Sequence, residues 1–220
     1  MQKTMARTRI KICGLKTAQA VSACVAAGAD AVGFVFYPPS PRAVVPDLAA
    51  DLASGLGAWQ TPVALFVNPE PTLVNEVIRK IPQVLLQFHG DESPDFCESF
   101  GRPYLKAVRM KDGVDVIKES RRYGRAQALL LDSWSDQYGG SGHAFDWTLL
   151  PRQSEMSQPL VLSGGLSANN VEMAISQVAP YGVDVSSGVE SARGVKSESL
   201  IESFCRAVQL ADFNQVANRM

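Results

Sequence analysis

The stretch RIKICGLKTAQAVSACVAAGADAVGFVF, residues 9–36, decides the fold. It holds two short apolar runs, Arg9–Cys13 and Ala31–Phe36, which are typical of strands in a sheet that is covered on both faces. Between them, Thr17 can cap a helix that stops at Gly28. A strand, a helix and a second strand in this order indicate a βα unit with parallel strands.

The same alternation continues along the rest of the chain, with strands starting roughly 20–30 residues apart. The further runs are Val63–Val67, Val84–His89, Tyr104–Val108, Ala128–Asp132, Leu160–Ser163 and Val183–Ser186. Asn169 with Glu172 predicts a capping box at the start of one helix, and Ser197 predicts the cap of a helix that follows the last strand. The sixth helix, Phe145–Leu150, is predicted to be short because Pro151 follows it.

Eight βα units in 220 residues predict an α/β protein, a single-domain TIM (β/α)₈ barrel over residues 1–220. We expect residues 1–8 to form a flexible N-terminal extension. A doubly wound nucleotide-binding sheet is disfavoured because neither GxGxxG nor GxxxxGK[ST] follows a strand.

The composition excludes several classes of function. A net charge of −1 argues against a nucleic-acid partner, and no apolar run is long enough to predict a membrane span. The N-terminus lacks the apolar core of a secretory signal, so we expect a cytoplasmic protein whose four cysteines are free thiols. Their spacing fits no zinc pattern, and we predict neither a metal nor a cofactor.

In a barrel of this kind the active site lies where the strands end. Cys13 ends the first predicted strand and Asp132 ends the sixth, so both are candidates for acid–base chemistry. Each has an alternative interpretation, a buried structural thiol or a turn-capping carboxylate. Arg42, in the loop YPPSPR (37–42), suits a substrate carboxylate, although it could also be a solvated surface residue. His89 is either a base or a rim histidine.

The loops after the last two strands predict a phosphate site. Glycines let backbone N–H groups approach an anion and serines add hydroxyl donors, although turn glycines are the alternative. The predicted phosphate-binding residues are Gly164, Gly165, Ser186, Ser187 and Gly188. Because Lys11 and Cys13 share one face of their strand, we also expect Lys11 to point into the barrel and pair with Asp184.

Several ordered motifs resemble the phosphoribosylanthranilate isomerase family. They are KICGL (11–15), GADAVGFVFYPPSPR (28–42), ALFVNP (64–69), QFHGDES (87–93), LLLDS (129–133), GGSGHAFDW (139–147), LSGGL (162–166) and DVSSGVE (184–190). The similarity runs from about Arg9 to Cys205, and the departures, Phe88 and Ser141, do not touch the expected chemistry.

The resemblance implies an Amadori rearrangement in tryptophan biosynthesis, with Cys13 as general base and Asp132 as general acid. It implies a small-molecule substrate, phosphoribosylanthranilate, whose carboxylate binds Arg42. The other implied substrate-binding residues are Gln87, His89, Gly140, Gly142 and Asp184. For the base, we expect the pKa of Cys13 to lie below that of a free cysteine.

Two other functions remain open at this point. One is a different phosphosugar isomerase barrel, and the other is a non-catalytic barrel that binds a phosphorylated ligand. The first would require metal-binding His and Asp residues at strand ends, or acid–base carboxylates and phosphate loops in both halves of the barrel. The second would keep the glycine loops but lack Cys13 or Asp132, and both residues are present. We expect either a monomer or a homodimer.

Overall fold

The computed structural model describes residues 7–111, 113–133, 147, 150, 151 and 155–217. Eight parallel strands form a closed barrel in sequence order, with the last strand paired to the first. The strands are β1 (Arg9–Cys13), β2 (Ala31–Phe36), β3 (Thr61–Phe66), β4 (Leu85–Phe88), β5 (Tyr104–Met110), β6 (Ala128–Ser133), β7 (Leu160–Leu162) and β8 (Gly182–Val185). The predicted (β/α)₈ barrel is confirmed.

Helices surround the barrel. They are α1 (Ala18–Ala26), α2 (Pro46–Ala53), α3 (Pro71–Lys80), α4 (Pro94–Glu98), α5 (Val116–Arg122), α6 (Val171–Val178) and α7 (Glu198–Ala217). A 3₁₀ turn, Ser187–Val189, and a small hairpin, β9 (Glu190–Ala192) with β10 (Val195–Lys196), follow β8. Most of the predicted sixth helix, Phe145–Leu150, lies outside the described residues.

Two of the predicted helix caps are confirmed. Thr17 accepts a hydrogen bond from the Ala20 amide at 3.2 Å, and Ser197 accepts one from the Leu200 amide at 3.4 Å. Such side chains satisfy backbone N–H groups that have no partner inside the helix. Gly28 follows α1 with a φ of 80°, as a helix stop requires.

The predicted capping box at Asn169 is wrong. Helix α6 begins at Val171, and Asn170 is its N-cap without a side-chain capping bond. The Asn170 side chain instead bonds to the preceding loop. Its Oδ1 accepts a hydrogen bond from the Ser167 amide, and its Nδ2 donates one to the Gly165 carbonyl oxygen, both at 2.8 Å. It therefore ties α6 to the glycine loop after β7.

Two layers of side chains fill the two ends of the barrel. Near the strand starts, an apolar layer includes Val63, Leu105, Leu130 and Val161, and near the strand ends Cys13 packs in a second cluster. Burying an aliphatic side chain of this size contributes roughly 1.5–3 kcal/mol. The packed interior therefore supports the side chains at the rim.

The two described residues of the predicted N-terminal extension, Arg7 and Thr8, contact the barrel. Thr8 is buried, and its amide and hydroxyl both donate to the Asp212 carboxylate at 2.8 and 2.7 Å. Arg7 forms an ion pair with Asp30. The remaining part of the predicted extension, residues 1–6, lies outside the described residues. Across the described ranges, no helix is long and apolar enough to cross a membrane.

Candidate active site

A cavity opens at the C-terminal ends of the strands and holds about 670 Å³ of empty space, its open mouth included. It brings together most of the predicted site residues: Cys13, Arg42, His89, Asp132, Gly164, Gly165, Asp184, Ser186 and Ser187. Val35, Leu65 and Val67 form part of an apolar wall. A few convergent polar groups on an apolar surface are typical of a small-molecule site.

Two predicted site residues lie outside the cavity wall. Gln87 is fully buried behind His89. At Gly188, an added Cβ would lie 1.9 Å from the Leu166 carbonyl oxygen, so the glycine lets the loops after β7 and β8 pack together. Gly140 and Gly142 lie outside the described residues.

Cys13 ends β1 with its thiol inside the barrel mouth. Gly33 on the neighbouring strand makes room for it, because an added Cβ there would lie 2.8 Å from Cys13 Sγ and 3.2 Å from Lys11 Nζ. A glycine inside an apolar strand is a recognisable signal for such a close approach. The sequence interpretation had overlooked Gly33.

The electrostatic surroundings of Cys13 contradict one expectation. Burial raises the pKa of the Cys13 thiol, and the positive charges of Lys11 and Lys196 offset this rise only in part. The predicted lowering of this pKa is therefore wrong. Removal of the thiol from water outweighs the nearby cations.

Lys11 and Asp184 form a buried ion pair, with 2.7 Å between Nζ and Oδ1. The two residues are register partners across the closing strands β1 and β8, so the predicted pairing is confirmed. Burial opposes the charge on Lys11, but the Asp184 carboxylate outweighs it and raises the pKa of Lys11. Ser163 also donates to Asp184, at 3.2 Å. The pair therefore places a fixed cation beside Cys13.

Asp132 is the residue before the last of β6, lines the cavity, and contacts His89, which directly follows β4. His89 Nε2 lies 3.0 Å from Asp132 Oδ2, and His89 Nδ1 lies 3.1 Å from Gln87 Nε2. All three side chains are buried. The sequence had indicated these residues separately, and the fold joins them into one chain of hydrogen bonds.

Arg42 is buried at the cavity rim rather than solvated. Its Nε and Nη2 donate to the two Glu190 carboxylate oxygens at 2.7 and 2.9 Å, while the described part of the chain offers Nη1 no partner. Gly14 leaves space for its stem, since an added Cβ would lie 2.6 Å from Arg42 Cδ. The guanidinium is thus held in one orientation with one edge available.

Glu190 and Lys196 are functional candidates that the sequence interpretation missed. Lys196 Nζ donates to Glu190 Oε1 at 2.7 Å and to the Ser186 carbonyl oxygen at 2.8 Å. Burial opposes the negative charge on Glu190, but hydrogen bonds from Arg42 and Lys196 outweigh it and lower the pKa of Glu190 to about 2. Glu190 ends the motif DVSSGVE, which could have indicated it.

The predicted phosphate loops line the cavity in strained backbone conformations. Gly164 and Gly165 have φ values of 85° and 66°, which glycine tolerates best. The Ser186 hydroxyl already donates to the Cys13 carbonyl oxygen at 3.0 Å, whereas Ser187 begins the 3₁₀ turn at the cavity. Within the described ranges, no group of three or more His, Cys, Asp or Glu side chains could hold a metal ion.

Together, the closed barrel and a cavity lined by a thiol, a carboxyl and a guanidinium define a TIM-barrel enzyme. Comparison with known proteins identifies the family of TIM-barrel enzymes to which the chain belongs. The chain matches the N-(5'-phosphoribosyl)anthranilate (PRA) isomerase family over residues 10–207, and it belongs to that family.

Individual relatives and solved structures agree with this family assignment. The N-(5'-phosphoribosyl)anthranilate isomerase of Leptothrix cholodnii is 54% identical over 211 residues, covering 96% of this chain and 95% of the relative. Monomers generated from the dimeric enzyme of Thermotoga maritima have a TM-score of 0.80 at 35% identity, covering 92% and 98%. A phosphoribosylanthranilate isomerase in complex with reduced 1-(o-carboxyphenylamino)-1-deoxyribulose 5-phosphate has a TM-score of 0.81 at 36% identity, with the same coverage.

Proposed function

We propose that this chain converts N-(5'-phosphoribosyl)anthranilate into 1-(2-carboxyphenylamino)-1-deoxyribulose 5-phosphate, with Asp132 as general acid and Cys13 as general base. The observation that carries the proposal is that both side chains line one cavity from separate strands, β6 and β1. Acid and base can then act on one substrate without neutralising each other. Family membership supports the same reaction.

The first step opens the furanose ring. Asp132 donates its proton to the ring oxygen, the C1–O bond breaks, and the anthranilate nitrogen lone pair forms a cationic Schiff base with C1. A positioned acid typically contributes about 10²–10⁴-fold to such a step.

In the second step the Cys13 thiolate removes the proton at C2. The electrons of the C2–H bond form a C1=C2 bond and neutralise the iminium nitrogen. The resulting enol becomes the ketone when C1 takes up a proton and the hydroxyl group on C2 loses its proton. Burial raises the pKa of Cys13, and the positive charge of the substrate Schiff base favours the thiolate. Lys11, held by Asp184, provides a second positive charge.

The substrate is anchored at both anionic ends. Arg42 presents its available Nη1 edge to the anthranilate carboxylate, with Glu190 fixing the guanidinium. The sugar phosphate lies on Gly164, Gly165 and Ser187, and the packing of Gly188 against Leu166 shapes this loop pair. Gly140 and Gly142 stay predictions as substrate contacts.

The test is an anthranilate-fluorescence assay on freshly prepared phosphoribosylanthranilate. We expect Cys13→Ala and Asp132→Asn each to lower kcat by at least about 10²-fold, with unchanged circular dichroism. Cys24→Ala is the matched control, since this buried thiol lies in α1, away from the cavity. Near-normal turnover in Cys13→Ala or Asp132→Asn would contradict the assigned role of that residue.

The proposal also covers the cellular compartment and the oligomeric state of the protein. Four free, buried cysteines suit a reducing cytoplasm. The dimeric Thermotoga maritima relative favours a homodimer over a monomer. Light scattering after size-exclusion chromatography distinguishes the two states.

A further inference from the structure

Two polar side chains point inward in succession at the end of β4, Gln87 within the strand and His89 directly after it. Gln87 and His89 lie two residues apart and so point to the same side of the strand. Gln87 Nε2 lies 3.1 Å from His89 Nδ1, and His89 Nε2 lies 3.0 Å from Asp132 Oδ2. Gln87 does not line the cavity, so its contact with the reaction site passes through the histidine.

The Gln87 amide determines where the histidine ring carries its proton. An amide nitrogen can only donate, so Nδ1 must accept, and a neutral ring then carries its hydrogen on Nε2. The opposite amide orientation would bury two N–H donors where Gln87 Oε1 now lies buried without a partner. An unpaired carbonyl oxygen is tolerated better than unpaired N–H groups.

We propose that Gln87 and His89 are positioning residues, and that Gln87 holds His89 as a neutral Nε2–H donor to Asp132 Oδ2. This inference rests on the proposed role of Asp132 as the acid. The hydrogen bond fixes the carboxyl group and leaves Oδ1 as the oxygen that carries the transferable proton. An imidazolium at the same place would instead favour the ionised carboxylate, which cannot act as an acid.

The experiment is long-range ¹H–¹⁵N NMR on protein labelled with ¹⁵N-histidine. The chain contains two histidines, so the spectrum shows two ring systems, and His89→Asn identifies the signals of His89. In the wild type we expect the Nε2–H tautomer for His89. In Gln87→Glu the new carboxylate accepts from Nδ1, so the ring should move to the doubly protonated form or to the Nδ1–H tautomer.

Kinetics on the same proteins supply the second readout. We expect Gln87→Glu to lower kcat by about 10- to 100-fold, because general acid catalysis by Asp132 is weakened. KM should change by less than about twofold. Gln127→Glu, the same substitution at an exposed position, should change neither the spectrum nor kcat. His89→Gln, which keeps a neutral Nε2 donor, should retain more activity than His89→Leu.

The outcomes separate this inference from the proposed function. An Nδ1–H ring in the wild type, or an unchanged His89 spectrum in Gln87→Glu, would overturn it. If Gln87→Glu does not fold, Gln87→Met removes the donor instead, and a ring that keeps the pure Nε2–H form would also overturn it. Normal activity in Asp132→Asn would refute the acid, while the measured tautomer would stand.

Discussion

At the scale of single residues, the site is built from buried charges that hold one another in place. Glu190 carries a charge between two cations, Arg42 and Lys196, and all three side chains are largely removed from water. Taking away one member of such a group leaves an uncompensated buried charge. Glu190 therefore couples the orientation of Arg42 to the stability of the fold.

The coupling predicts how stability depends on pH. The folded-state pKa of about 2 lies below the ordinary value of 4.5, so the stabilisation from Glu190 is complete above pH 4.5 and is lost as the pH falls towards 2. We expect Glu190→Gln to be less stable than the wild type at pH 7 and to lose less stability between pH 5 and pH 3. Urea unfolding across this pH range measures both effects.

Glu202→Gln is the control, because this exposed residue pairs with exposed Arg206 on α7. Its stability should follow the wild-type pH dependence, since surface pairs contribute little. If the free energy of unfolding of Glu190→Gln fell with pH as steeply as that of the wild type, the lowered pKa of Glu190 would be contradicted.

Residue identities at strand ends were predictable, but distances across the barrel were not. Alternation along a strand placed Cys13 and Lys11 on one face, and the Lys11–Asp184 pair followed from it. The contact between His89 and Asp132 joins strands that are not neighbours in the barrel, so no local pattern encodes it. Lys196 was missed because it reaches the site through the β9–β10 hairpin, which carries only a weak turn signal.

At the scale of elements, the loops after β7 and β8 pack more closely than any side chain would allow. Gly188 meets the Leu166 carbonyl oxygen, and Gly164 meets the Ser133 amide, 2.4 Å from an added Cβ. These contacts set the shape of the predicted phosphate site. The sequence indicated the glycines as anion contacts, whereas the structure gives Gly164 and Gly188 a packing role as well.

Gly188→Ala tests the packing role. The new methyl group must separate the two loops, so we expect KM for phosphoribosylanthranilate to rise at least about tenfold, because an anchored end of the substrate is lost. Gly124→Ala at the end of α5 is the control, since its Cβ would make an ordinary 3.4 Å contact. An unchanged KM in Gly188→Ala would show that the loop pair does not determine binding.

Helix limits followed from the sequence wherever capping is local. Thr17 and Ser197 cap as predicted, since donor and acceptor are three residues apart. Asn169 does not, because its neighbour Asn170 bonds to the glycine loop and sets the start of α6. A contact outside the helix thus overrides the local signal.

At the scale of the whole molecule, the last helix secures closure of the barrel. Helix α7 packs Ile201, Phe204 and Val208 into the main core, and its Asp212 binds Thr8 just before β1. This contact therefore attaches α7 to the segment that leads into β1, beside the seam where β1 meets β8.

Two phenylalanines on α7 allow a matched test. Phe204 is fully buried and Phe213 is exposed. We expect Phe204→Ala to lower the free energy of unfolding by about 3–5 kcal/mol, because it leaves a cavity in the core. Phe213→Ala should change it by less than about 0.5 kcal/mol, as is usual for surface substitutions. Equal losses in urea unfolding would refute the role of α7 in closure.

The Lys11–Asp184 pair spans 173 residues and has a consequence for synthesis on the ribosome. Cys13 emerges from the ribosome well before Asp184 and Lys196, since chains are made from the N-terminus. A nascent chain that ends before β8 carries the thiol without these neighbours and beside an unpaired strand edge. We therefore expect the complete surroundings of Cys13 to form only after β8 and the β9–β10 hairpin have left the exit tunnel.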